Sequence, residues 1–198
     1  MATAAPATAP QPAHAHEPHD EVKKVRMNRL GLWLFFFSDA LVFALLFSAR
    51  FYMNGTEVDS HISQLLGLGI TSVLLLSSYT AYRGETAIHH GNIAQGRTML
   101  LLTILLGIAF FAGVVVEWSI AEFTISEGYG TSFFSMTGMH AGHVASGVVL
   151  LWIAWRKAGK GYYDGGGLKA YGVSGVVMYW HFVDVVWVFF YPALYLLK

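Results

Sequence analysis

The residues of this chain that could do chemistry sit where water is scarce. Near the C-terminus the string Tyr179-Trp180-His181-Phe182-Val183-Asp184-Val185-Val186-Trp187 places an imidazole and a carboxyl three residues apart inside an otherwise apolar run. That spacing makes them neighbours on one helix face. A carboxylate at membrane depth costs several kcal/mol unless it is paired or neutral, so such a group is functional or structural by default. The same reasoning singles out Asp39, Glu117, His140 and His143, which also interrupt long apolar stretches. Thiol chemistry is excluded. With no cysteine the chain has no disulfide, no iron–sulfur cluster, no Cys-x-x-Cys-His haem attachment and no thiolate copper site.

The elements that must position these groups follow from composition. Hydrophobic residues make up 55% of the chain and charged residues only 12%, against about one quarter charged in soluble domains. Five apolar stretches, Gly31–Met53, Ile62–Tyr82, Thr98–Ile120, Ser132–Trp155 and Tyr171–Leu197, each approach the length that crosses the hydrocarbon core. The expected fold is all-α: a polytopic membrane bundle of five transmembrane helices forming one domain over 29–198. Residues 1–28 are expected as a disordered cytoplasmic tail, because the Ala-, Pro- and His-rich start lacks the apolar run of a signal peptide. The net charge of zero offers no bulk attraction for nucleic acid.

Orientation is read from the basic residues. Lys23, Lys24, Arg26 and Arg29 precede the first span; Arg83 and Arg97 are expected in the second loop, and Arg156, Lys157, Lys160 and Lys169 in the fourth. The first and third connections carry acids instead, Glu57, Asp59, Glu122 and Glu127. The positive-inside rule then puts the N-terminus in the cytoplasm and Lys198 outside.

At 1.5 Å per residue, Asp39 lies about 12 Å in from the cytoplasmic end of the first span and His143 about 16 Å in from the opposite end of the fourth, close to one level. They are expected to hydrogen-bond. Such a contact reads as a polar clasp between helices or as a proton-handling pair. Glu117 falls near the outer end of the third span beside Trp118, where water or headgroups could solvate it. His140 and His143, three apart, suggest haem or metal ligation, but a bis-His haem needs two facing histidines at matched depth. His143 and His181 meet only the depth condition, and carboxylate partners are the expected fate of the buried histidines. The Gly138-x-x-x-Gly142 spacing, continued by Ser146, gives the fourth span a small-residue stripe of the kind that lets backbones approach, and marks this helix as central. His14, His16 and His19 of the tail could hold a metal weakly, although a solvated tail explains them as well.

Two spans also carry a family resemblance. The string Phe133-Phe134-Ser135-Met136-Thr137-Gly138-Met139-His140-Ala141-Gly142-His143-Val144-Ala145-Ser146-Gly147, taken with Tyr179–Trp187, resembles subunit III of the haem–copper terminal oxidases. Gly31–Asp39 is similar to that family's helix with a buried carboxyl after a Ser, and Val116-Glu117-Trp118 to its acidic position on the next helix but one. The similarity runs from about residue 29 to the C-terminus and is to the five-helix bacterial form. Asp39 stands where the cytochrome c oxidases usually carry Glu, an exchange familiar from the quinol-oxidase branch.

The resemblance implies a non-redox subunit of an aerobic respiratory oxidase in the bacterial inner membrane, most simply a cytochrome c oxidase. Such a subunit binds beside catalytic subunit I and subunit II, holds structural phospholipid and supports proton uptake. Haems and copper would belong to the partner subunits and none to this chain, with Asp39, His143, Glu117, His140, His181 and Asp184 as its buried polar, proton-related groups. A quinol-oxidase subunit III or the related accessory protein of nitric oxide reductase fits the same motifs. From other classes, a small membrane cytochrome b would use His143 and His181, and a proton-coupled transporter would use Asp39, Glu117 and Asp184.

Overall fold

The computed structural model describes residues 18–55, 64–126 and 128–196, and every regular element among them is helical. Five long helices, α1 (Pro18–Asn54), α2 (Gln64–His89), α3 (Ile93–Ile120), α4 (Gly128–Gly159) and α5 (Tyr171–Tyr191), follow one another. A short 3-10 turn, Gly167–Ala170, leads into α5, and a π-helical turn, Pro192–Leu196, continues it. All five are long and apolar enough to span a bilayer, and a helix satisfies its own backbone hydrogen bonds there without water.

Two boundaries depart from expectation. α1 begins at Pro18, so residues 18–28, expected as part of a disordered tail, are helical. Pro at the first helical position followed by Asp20 and Glu21 suits a helix N-terminus. The remainder of that tail, with His14 and His16, lies outside the described residues. Second, α2, α3 and α4 run beyond their apolar stretches, so Arg83, Arg97, Arg156 and Lys157 are helical rather than in loops. Hydropathy ends where the bilayer ends, whereas the helix ends at its cap. At the α2–α3 junction Asn92 accepts from the Gln95 amide at 3.1 Å, and Gly91 takes a φ of +79° to turn the chain.

α2, α3, α4 and α5 each pack on the next, and α5 closes back on α2, giving a four-helix ring; α1 lies outside it against α4 and α5. The buried positions of α1, Phe36, Phe43 and Arg50, recur every seven residues, and Phe36 stacks on Phe182 of α5 with ring centres 4.9 Å apart. At the centre of the ring Trp180 is fully buried and donates its indole N–H to Ser77 Oγ of α2 at 3.0 Å. Two turns on, Trp187 does the same to Thr71 Oγ1, also at 3.0 Å.

Glycines make room for the Trp180 ring. A Cβ on Gly107 of α3 would stand 2.6 Å from it, and one on Gly147 of α4 would stand 2.7 Å from it. The expected Gly138–Gly142 stripe is not the close-approach surface. Gly138 faces Trp118 at 3.5 Å and Gly142 has nothing within 4 Å, because the buried face of α4 runs through Phe133, Met136, His140, Val144, Gly147 and Leu151. Gly147→Val and Gly107→Val should each lower stability by about 1–3 kcal/mol through overpacking. Gly142→Val should stay within about 0.5 kcal/mol of the parent. Unfolding midpoints of the detergent-purified chain check this, and equal losses at Gly142 and Gly147 would contradict the packing described.

Candidate functional site

Asp39 is placed by the same stripe of α1 that buries Phe36 and Phe43, three residues after the first and four before the second. It faces α4, where His143 Nε2 lies 3.1 Å from Asp39 Oδ2, with the two side chains 17% and 14% exposed. Phe43 covers the imidazole edge-on at 4.8 Å. His143 Nδ1 lies 2.8 Å from the Met139 carbonyl oxygen. A carbonyl can only accept, so Nδ1 carries a hydrogen. The Nε2–Oδ2 separation is within reach of a hydrogen bond, although Oδ2 meets no donor in hydrogen-bonding geometry among the described residues.

Beside this pair, the Tyr179 hydroxyl of α5 meets Ser146 Oγ at 2.7 Å, and Ser146 donates to the His143 carbonyl at 2.8 Å. The sequence shows Ser146 only as part of the small-residue stripe, and its clustering with Tyr179 becomes visible only once α4 and α5 are side by side.

Glu117 is not solvated, contrary to expectation. It is 5% exposed, and Tyr195 donates its hydroxyl to Glu117 Oε2 at 2.7 Å. Pro192, with no N–H to give, opens a π turn rather than a stop, and that turn brings Tyr195 over the C-terminal end of α3. Gln64 of α2 holds the Tyr195 carbonyl at 3.2 Å, and Tyr129 of α4 donates to the Leu194 carbonyl at 2.6 Å. Arg50 completes this end: it is 1% exposed, donates to the Gly55 carbonyl at 3.2 Å and lies 5.0 Å over the Tyr129 ring. A lone Arg inside an apolar span is a legible signal, and Arg50 should be counted with the site residues.

The three membrane histidines do not converge. His143 faces α1, while His181 meets Ser78 Oγ of α2 through Nδ1 at 2.6 Å. His140 points into the core, fully buried, with its ring 4.7 Å from that of Trp187 and 5.6 Å from that of Phe110. No carboxylate partners His140, and neither ring nitrogen has a hydrogen bond among the described residues. That corrects the expectation for this histidine. Asp184, 4% exposed, lies against Ser78, but no donor meets either of its oxygens in hydrogen-bonding geometry among the described residues. Nor does any set of three His, Asp or Glu side chains among those residues come together as a metal site.

Asp39→Asn should cost less than about 1 kcal/mol, because the amide can donate to an unprotonated Nε2. Asp39→Leu should cost about 1–3 kcal/mol, the penalty of leaving a buried polar atom unsatisfied. Unfolding midpoints of the two variants against the parent check the order; equal losses would show that the contact is incidental.

The relatives agree with this architecture. The family model described as Cytochrome c oxidase subunit III matches residues 13–198. The chain is 31% identical to "Cytochrome c oxidase subunit 3" of Thermostichus vulcanus, covering 93% of this chain and 91% of that protein. It is 33% identical to the protein of that name from Papio hamadryas, covering 91% and 73%. For the Neurospora crassa protein the identity is 38%, over 84% of this chain and 66% of the relative's length. A five-helix bundle with a carboxyl–imidazole pair between its first and fourth helices, matched over nearly its whole length, belongs to the cytochrome c oxidase subunit III family.

Proposed function

We propose that this chain is the non-redox subunit III of an aerobic haem–copper oxidase in a bacterial inner membrane, most simply a cytochrome c oxidase. It sits beside subunits I and II, which hold the haems and copper, and stabilises the catalytic subunit. The observation that carries the non-redox part is the divergence of His140, His143 and His181 into three different interfaces. A membrane haem held by two histidines needs them face to face, and here one faces α1, one faces α2 and one stacks between aromatic rings.

Lipid retention has a place to occur. A groove of about 320 Å³ between α1 and α5 is lined by Phe43, Phe47, Phe182, Phe189 and Phe190 and accepts an acyl chain by shape and polarity. Support of proton uptake would draw on Asp39, His143, Glu117, His140, His181 and Asp184, and on the basic ends of α2, α3 and α4. The N-terminus is cytoplasmic and Lys198 outside in this reading, following the charge asymmetry.

Removing the chain from the complete oxidase should leave haem spectra and the initial rate of oxygen reduction largely unchanged, while activity declines over many turnovers. Spectra and oxygen uptake of complexes with and without it check this, and loss of a haem signal would show that it carries redox chemistry. Cysteines introduced as Gly55→Cys and Lys198→Cys should react with an impermeant thiol reagent from the periplasmic side. Labelling only after permeabilisation would reverse the orientation.

A further inference from the structure

The seam between α2 and α5 carries polar groups that the packing does not require. α2 brings His89, Glu85 and Ser78 to it, and α5 brings Ser174, His181 and Asp184. At the end bearing the second and fourth connections, His89 Nε2 meets Ser174 Oγ at 2.8 Å and lies 3.8 Å from Glu85 Oε1. About 10 Å deeper, two helical turns along either element, Ser78 Oγ meets His181 Nδ1 at 2.6 Å and lies against the Asp184 carboxyl. Exposure falls along this file. His89 is open, Glu85, Ser174, Ser78 and His181 are half-buried, and Asp184 is 4% exposed.

The two ends of the file differ in chemistry. At the open end a carboxyl, an imidazole and a hydroxyl are mutually arranged and in reach of water. At the closed end Asp184 has no donor in hydrogen-bonding geometry among the described residues. A bare carboxylate there would be an uncompensated buried charge, which proteins avoid by neutralising the group. The charged and titratable groups around Asp184 come from each neighbour in turn. α2 offers Glu85 by way of His181, and α4 offers His140, stacked on Trp187 one turn further along α5. The titratable and charged groups buried or half-buried on α1 lie elsewhere, Asp39 against His143 and Arg50 over Tyr129.

We propose that the α2–α5 seam is a proton inlet that loads the Asp184 carboxyl from the aqueous phase at the His89 end. Ser78 is built for the last transfer, because a hydroxyl donates and accepts at once. A proton on His181 Nδ1 passes to Ser78 Oγ while the Ser78 hydrogen passes to an Asp184 oxygen. The imidazolium becomes imidazole, the carboxylate becomes carboxylic acid, and Ser78 is unchanged. Release runs the same way in reverse. The site stands whether or not the chain assists proton uptake by a catalytic neighbour.

Infrared difference spectroscopy on the complete membrane complex tests it. The parent should show a protonated-carboxyl stretch that Asp184→Asn removes, and that stretch should shift on transfer into D2O as its proton exchanges. Ser78→Ala and Glu85→Gln should slow the exchange by about tenfold or more, the scale on which a positioned proton-transfer group acts. Ser119→Ala, at the far end of α3, should leave it unchanged. If Asp184→Asn fails to assemble, aspartate labelled with 13C at its side-chain carboxyl assigns the stretch, and Ser78→Ala should then move it. No aspartyl stretch in the parent, or exchange as fast in Ser78→Ala and Glu85→Gln as in the parent, overturns the proposal. The readout needs no turnover, so a complex whose activity ignores this chain can still confirm the inlet.

Discussion

A polar atom on a helix in hydrocarbon has no water to return to, and that constraint organises this bundle. α5 shows its force. Trp180 and Trp187 each carry one indole N–H that must be given to something, and both are given to hydroxyls of α2, fixing the depth and rotation of one helix against the other. α3 and α4 then close on Trp180 because Gly107 and Gly147 present no side chain to its ring. Three helix interfaces thus depend on how one aromatic residue is satisfied and accommodated. Each such bond is worth only about 1 kcal/mol in membrane bundles, so its weight here lies in geometry more than in energy.

The same constraint separates the polar groups into kinds. Glu117 receives the Tyr195 hydroxyl through Oε2, and Asp39 lies 3.1 Å from His143 across the α1–α4 interface. His140 and Asp184 are held dry without partners among the described residues, and they differ in consequence. A neutral imidazole between Phe110 and Trp187 can rest on ring contacts. A carboxyl has no such refuge, and half-buried polar groups of α2 and α5 lead from it toward the exposed His89.

Much of this was legible in the sequence, and the reasons are physical. Five spans, the bundle class and the family follow from apolar length and two motif strings, because lipid leaves so few alternatives. The shared depth of Asp39 and His143 follows from helix rise alone. What depends on rotation about a helix axis is not legible in that way. Gly142 and Gly147 look alike in sequence, yet only the latter meets Trp180. Glu117 looked solvated because nothing in a string of residues shows that a π turn opening at Pro192 will lay Tyr195 over it. The start of α1 was missed for another reason: residues 18–28 are polar but helical, and hydropathy reads polarity as an end.

α1 stands outside the ring, and time enters the structure there. Asp39 goes into the bilayer with the first helix, whereas His143 follows it by 104 positions (143 minus 39). At synthesis rates of about 5–20 residues per second, that separation is roughly 5–20 s. During that interval the carboxyl has no imidazole and its helix has neither α4 nor α5 to lie against. The nascent helix waits with its Phe36 and Phe43 faces in lipid. Arrival of α4 brings the His143 imidazole to within 3.1 Å of that carboxyl. The pair is thus a joint that can close late, after insertion is finished, and only once the chain has been made as far as its fourth helix.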